Sequence, residues 1–260
     1  MRSHRIPVSK FVLATITVVS CSWASLTSAE EMIAAVATNF TAPMKQLIDD
    51  FQKRSGDRVK ASYGSSGKLL AQIQNGAPFD VFLSADQAKP QRLLDAGTAV
   101  SGSRFTYALG QLVLWSAAED KNVEQQLKTG QFNKLAIANP RLAPYGLAAE
   151  QTLSGLGLTA ASNGKKVMGE NIGQAWQFTA TGNAELGFVA LSQVYKDGKI
   201  SRGSGWIIDS SLYQPIRQDA VLLQHGANSD VASKFLDYLQ SDEAAAIIES
   251  WGYRLPPKQL

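Results

Sequence analysis

Met32-Ile33-Ala34-Ala35-Val36-Ala37-Thr38-Asn39-Phe40-Thr41-Ala42-Pro43-Met44 runs from a short apolar strand straight into the start of a helix. The strand is residues 32–37. The helix continues to about residue 54, because Met44, Leu47, Ile48 and Phe51 recur at i, i+3, i+4 and i+7 and share one face. Pro43 suits a first turn, where its missing N–H costs nothing, and Gly56 closes the helix. The next residues repeat the unit. Residues 59–63 read as a second strand, and Gly64-Ser65-Ser66-Gly67 as a turn that opens a short helix to Gln74. Residues 79–83 read as a buried strand and 88–96 as a further helix. Strand–turn–helix units at this rhythm predict a mostly parallel sheet with helices on both faces.

Residues 105–115 are extended and apolar, and a second series starts there. It has strands at 135–138 and 186–191 and helices at 148–156 and 171–179. An extended stretch at 220–224 and helices at 231–239 and 244–251 end the chain. No fixed-period repeat and no linker interrupts it. Two α/β series without a linker predict two lobes joined by crossing strands. Lobe I is expected from 30–110 plus 225–260, and lobe II from 111–224.

The N-terminus has the three-part layout of a secretory signal peptide. Arg2, Arg5 and Lys10 precede an apolar stretch at 11–19, and Thr27-Ser28-Ala29 ends a run of small residues. Residues 1–29 are therefore expected to be removed as the protein is exported. Val18-Val19-Ser20-Cys21 offers a second cleavage site, with a lipid anchor on Cys21, and cleavage after Ala29 is preferred. The chain carries 25 basic and 22 acidic residues. Three of the basic residues and no acid lie in 1–29, so the remainder is balanced at 22 against 22. The alkaline pI of the whole chain therefore gives no reason to expect nucleic acid as a partner.

The remainder holds no cysteine and one histidine, His225. A Cys/His metal site is excluded, and a Ser-His-Asp triad would have to use His225. No phosphate-loop or dinucleotide fingerprint is present, and no cofactor is expected. Two strand ends do run into hydroxyl- and amide-rich helix starts, at Thr38-Asn39 and at Ser65-Ser66-Gly67. Ligands of open α/β sheets sit at such strand ends, where free N–H groups and the helix dipole favour an anion. Ser, Thr and Asn are also ordinary helix caps. On residues alone, capping and anion binding stand level, and Lys68 reads as a solvated first-turn lysine.

Four blocks resemble the periplasmic molybdate-binding proteins of bacterial ABC importers. They are Ala35-Val36-Ala37-Thr38-Asn39-Phe40, Tyr63-Gly64-Ser65-Ser66-Gly67-Lys68-Leu69, Gly76-Ala77-Pro78-Phe79-Asp80-Val81-Phe82-Leu83-Ser84-Ala85-Asp86, and Ala138-Asn139-Pro140-Arg141-Leu142-Ala143-Pro144-Tyr145-Gly146. The resemblance implies a two-lobed type II periplasmic binding protein fold that holds molybdate or tungstate between its lobes. It also implies a monomer that serves an ABC membrane permease. Molybdenum would enter only as the bound oxyanion. The implied ligands are Thr38, Asn39, Ser66, Tyr145 and the backbone N–H of Ile172. Some members place a tyrosine where this chain has Ala190, so the donor count departs from theirs. Asp80 and Asp86 read as structural, since a carboxylate beside a dianion repels it.

A receptor for sulfate or another small oxyanion, a secreted hydrolase using His225, and the sensing domain of a regulator are the alternatives. Ser66→Ala and Asn39→Ala are expected to weaken anion binding while stability changes little.

Overall fold

The computed structural model describes residues 30–196 and 198–257. The expected signal peptide, with Cys21 and both cleavage sites, lies outside the described residues. The strands are β1 (Glu31–Ala37), β2 (Arg58–Gly64), β3 (Val81–Leu83), β4 (Phe105–Gly110), β5 (Leu112–Ser116), β6 (Leu135–Ala138), β7 (Lys166–Gly169), β8 (Leu186–Ala190), β9 (Tyr195–Lys196), β10 (Lys199–Ile200), β11 (Ser204–Ile207) and β12 (Ile216–Leu222). The helices are α1 (Thr41–Ser55), α2 (Ser66–Gln74), α3 (Ala88–Asp95), α4 (Val123–Thr129), α5 (Pro144–Gly155), α6 (Thr159–Ser162), α7 (Ile172–Ala180), α8 (Asp230–Leu239) and α9 (Asp242–Ser250).

Two five-stranded sheets carry the fold, in the orders β2-β1-β3-β12-β4 and β11-β5-β8-β6-β7. In the first, β1 pairs parallel with β2 and β3, and β12 runs antiparallel between β3 and β4. In the second, β6 pairs parallel with β7 and β8, and β5 runs antiparallel between β8 and β11. Each sheet therefore has four strands pointing one way and one reversed strand, second from an edge. The two reversed strands are those that the chain reaches on changing sheet: β4 passes to β5 through Gln111, and β11 passes to β12.

β12 corrects the expected lobe boundary. Residues 216–222, expected within lobe II, hydrogen-bond in the middle of the first sheet. The apolar run starting at Ala220 marked only its second half. Its first half contains Gln218 and Asp219, both buried, and buried polar residues look like loop in a sequence. The stretch 105–115 likewise divides into two strands of different sheets.

Alternation along the strands explains the layers. On β1, Met32, Ala34 and Val36 face Phe40, Met44 and Leu47 at the head of α1. Ala35 faces the other way, onto Leu69, Leu70 and Ile73 of α2. The α1 stripe expected from its spacing is thus buried, and Gly56 ends the helix at φ 78° with its N–H on the Gln52 carbonyl. Each fully buried Leu of this kind contributes roughly 1.5–3 kcal/mol. That packing fixes the helix starts at the carboxyl edges of the sheets.

Candidate functional site

Thr38 and Asn39 follow β1, Ser65 and Ser66 follow β2, Tyr145 lies in the first turn of α5 after β6, and Ile172 opens α7 after β7. All five implied ligands line one small recess, together with Ser65 and Ala85, and no residue lining it is charged. The sheets thus meet carboxyl edge to carboxyl edge, and the recess lies between them.

Ser66 is 1% exposed. Its Oγ accepts the Ala85 N–H at 2.9 Å. The oxygen is fixed by that bond, and its own proton remains to be given. Ser65 caps α2 by accepting from the Lys68 N–H, and Asn171 caps α7 by accepting from the Gln174 N–H at 3.0 Å. The N–H groups of Ser66, Tyr145 and Ile172 lie in the first turns of their helices. Such groups have no intrahelical acceptor, and they carry the positive end of the helix dipole. Pro144 at the head of α5 leaves the following Tyr145 N–H as the first free donor there.

Beneath the recess lies a buried polar network that the sequence did not reveal. Asn39 Nδ2 stands 2.7 Å from Gln218 Oε1 and 2.9 Å from the Tyr253 hydroxyl. The Asn39 carbonyl accepts from Ser192 Oγ at 2.8 Å and from the Tyr253 hydroxyl at 2.9 Å. Gln218 Nε2 reaches the Tyr145 hydroxyl at 3.3 Å, and the Tyr107 hydroxyl stands 3.1 Å from Gln218 Oε1. Burial pushes the Tyr107 and Tyr145 phenols far above their ordinary pKa and raises that of Tyr253. All three remain neutral donors at physiological pH. Gly110 is required beside them, because a Cβ there would lie 2.2 Å from the Tyr145 hydroxyl.

Asn39 and Ser66 are therefore both anchored in the fold. The expectation that replacing them leaves stability unchanged is corrected: each holds a buried partner that its loss would strand.

The two sheets also touch at the rim. The Gly67 N–H donates to the Leu142 carbonyl at 2.9 Å, and Lys68 pairs with Glu170 at 2.8 Å. Lys68, expected to be free in solvent, thus has a partner on the opposite side. Both side chains are more than a third exposed, so the pair contributes little stability. Ala190 is buried at the end of β8 and does not line the recess.

His225 does not join it either. Its Nδ1 lies 2.8 Å from Asp80 Oδ1, and Asp80 also accepts from the Ile33 N–H at 2.6 Å. Asp80 directly precedes β3, so this pair occupies the amino edge of the sheet, away from the recess. Asp86 accepts the Lys89 N–H at 3.0 Å in the first turn of α3 and pairs with the Lys89 ammonium. Both carboxylates have structural partners. Among the described residues, no three His, Cys, Asp or Glu side chains gather to hold a metal ion.

Residues 33–254 match the family model described as bacterial extracellular solute-binding protein. The molybdate-binding protein ModA of Azotobacter vinelandii is 54% identical over 229 residues, which cover 87% of this chain and 91% of that protein. The molybdate-binding protein ModA of Rhodobacter capsulatus is 48% identical over 231 residues, 87% of this chain and 89% of that one. The solved structure of the Azotobacter vinelandii periplasmic molybdate-binding protein superposes with a TM-score of 0.84 at 43% identity. It covers 87% of this chain and 100% of that one.

Proposed function

The chain belongs to the bacterial extracellular solute-binding proteins, and from that premise we propose that it captures molybdate in the periplasm and delivers it to an ABC importer. Tungstate, of the same charge and shape, is its second cargo. The protein works as a monomer, with Thr38, Asn39, Ser66, Tyr145 and Ile172 as the ligands. One observation carries this reading: the recess between the sheets gathers neutral donors and no charge. The relatives' names supply the choice of anion.

The chemistry follows from the donors. An oxyanion that stays fully ionised needs only hydrogen-bond donors. A protonated one, such as phosphate near neutral pH, also needs an acceptor. Each charge-assisted bond contributes about 1.5–3 kcal/mol, so a few of them hold a small anion tightly without a counter-charge. Thr38, Asn39 and Ser66 enter from the first sheet, and Tyr145 and Ile172 from the second. The anion therefore bridges the two and favours the closed arrangement.

A thermal-shift panel of molybdate, tungstate, sulfate, phosphate and chromate on residues 30–260 tests the reading. A ligand that binds only the folded chain raises Tm. Large shifts with molybdate and tungstate are expected. A shift with sulfate alone would establish a sulfate receptor, and no shift with either metal oxyanion would refute the proposal.

A further inference from the structure

Gly67 has no local reason to be glycine. It is the second residue of α2, and its backbone stays outside the left-handed region that calls for a missing side chain. Alanine is the stronger helix former. What glycine permits is a close approach between the two halves of the fold, one on each sheet. A Cβ on residue 67 would stand 3.1 Å from the Leu142 Cα and 3.1 Å from the Leu142 carbonyl oxygen, with the Leu142 Cδ2 at 3.2 Å. Carbon atoms in contact stand about 3.5–4.0 Å apart. An alanine would therefore push the opposite half back by a few tenths of an ångström.

The contact is backbone against backbone. The Gly67 N–H donates to the Leu142 carbonyl at 2.9 Å, the ordinary length of such a bond. Neither end has a rotamer that could lengthen or shorten it. Lys68 and Glu170 meet nearby through long side chains, which adapt to a range of separations. At the start of α7 the approach is looser: a Cβ on Gly173 would meet Thr38 of the first half only at 3.5 Å.

This joint is also next to the recess. Gly67 follows Ser66, and Leu142 precedes Ala143, Pro144 and Tyr145, all of which line the recess. The Gly67 N–H goes to Leu142 and the Lys68 N–H to Ser65 Oγ, so the Ser66 N–H is the one left free in the first turn of α2. Ser66 and Tyr145 bring donors from opposite halves, and the joint between Gly67 and Leu142 holds them at a set distance.

We propose that Gly67 is a positioning residue for anion capture: its contact with the Leu142 backbone is the stop at which the two halves cease to close, and it fixes the span between the donors of α2 and those of α5. This rests on the oxyanion reading above and deepens it. An anion bonded to both halves draws them together. The stop sets where that movement ends, so the span belongs to the fold rather than to the anion.

Two measurements test this. In ¹⁵N-labelled wild-type protein, hydrogen exchange of the Gly67 amide is followed with and without molybdate. Its bond exists only while the halves are closed. Exchange is expected to slow at least about 10-fold at a molybdate concentration 100 times Kd. Exchange unchanged within twofold, in protein that binds molybdate, would overturn the proposal. Wild-type protein that binds no molybdate at all would instead refute the oxyanion reading itself, and this inference with it.

The second measurement reads Gly67→Ala by calorimetry and by ligand-free melting. Added distance between the halves loosens the bonds that bridge them. The molybdate Kd is expected to rise about 10-fold, equivalent to losing one charge-assisted hydrogen bond. The ligand-free Tm is expected to hold or rise, because the open protein has no collision and alanine favours the helix. A glycine needed only for packing would behave the other way, with a lowered Tm and an unchanged Kd. A Kd within twofold of wild type would overturn the proposal. So would a lowered ligand-free Tm, since the collision would then be present without closure. The double variant Gly67→Ala/Leu142→Ala is expected to bind as weakly as the single one, because the Leu142 backbone stays in place. Recovery of wild-type affinity in the double variant would assign the contact to the leucine side chain and overturn the stop.

Discussion

Replacing Ser66 with alanine separates two roles that one oxygen performs. Its Oγ accepts the buried Ala85 N–H and has a proton left for the anion. Losing the first role leaves an N–H without an acceptor, which costs about 1–3 kcal/mol of stability. For a chain of this size that lowers the ligand-free Tm by roughly 2–10 °C. Losing the second role removes a charge-assisted bond and raises the molybdate Kd about 10- to 100-fold. The effects are read independently, by ligand-free melting and by calorimetry. They also combine in one curve. At a molybdate concentration a thousand times the wild-type Kd, the wild type gains about 4 kcal/mol, whereas the variant gains about 1.4–2.7 kcal/mol. A variant with a lowered ligand-free Tm and a Kd within twofold of wild type would refute the reasoning. Ser66 would then be a structural residue that happens to line the recess.

Asn39→Ala is expected to lower the ligand-free Tm as well as affinity, because Gln218 and Tyr253 both lose a partner; melting without ligand checks this. Gly110→Ala is expected to weaken molybdate binding without touching the anion, since its Cβ would displace the Tyr145 hydroxyl and Gln218; calorimetry reads the loss. Stability should be flat in its tyrosine contribution below pH ~10 and decline as pH rises beyond it. The raised pKa values of Tyr107, Tyr145 and Tyr253 mean that the folded chain holds protons which the unfolded chain releases near pH ~10; denaturant titrations between pH 8 and 11, values on the order of those where tyrosine ionises, would show it. Lys68→Ala should change molybdate affinity by no more than a few-fold, and less at high salt, because its pair with Glu170 is largely exposed; stopped-flow dissociation at two salt concentrations measures it.

Much of the fold could be read because local pattern and burial agree. The α1 stripe, Gly56 and the strand 32–37 each follow from spacing that the core then enforces. β12 could not be read in full, because Gln218 and Asp219 interrupt its apolar run while lying wholly inside the protein. The recess was half legible. Thr38-Asn39 and Ser65-Ser66 announce helix starts, but a cap and an anion ligand use the same residue types. Tyr145 and Ile172 were carried by family resemblance, since a backbone N–H leaves no mark on residue identity. The network of Tyr107, Ser192, Gln218 and Tyr253 joins residues up to 214 positions from Asn39, and no local pattern records such a meeting.

The place of β12 also dictates an order of assembly. The second sheet draws its strands from one continuous stretch, Leu112 to Ile207, so it can form while the rest of the chain is still to come. The first sheet can form only in part: β1, β2 and β3 pair among themselves, but β4 joins them only through β12, so the sheet is complete only once residue 222 has emerged. A chain that appears N-terminus first, from a ribosome or through a membrane, therefore leaves β4 without its sheet partner until nearly the whole polypeptide has followed. Such distant pairing is slow to find. Gln218, which touches both Asn39 and Tyr145, arrives on that same late strand, so the network beneath the recess is completed in the step that closes the first sheet. A protein cut short before residue 216 would keep a foldable second half and lose the recess entirely.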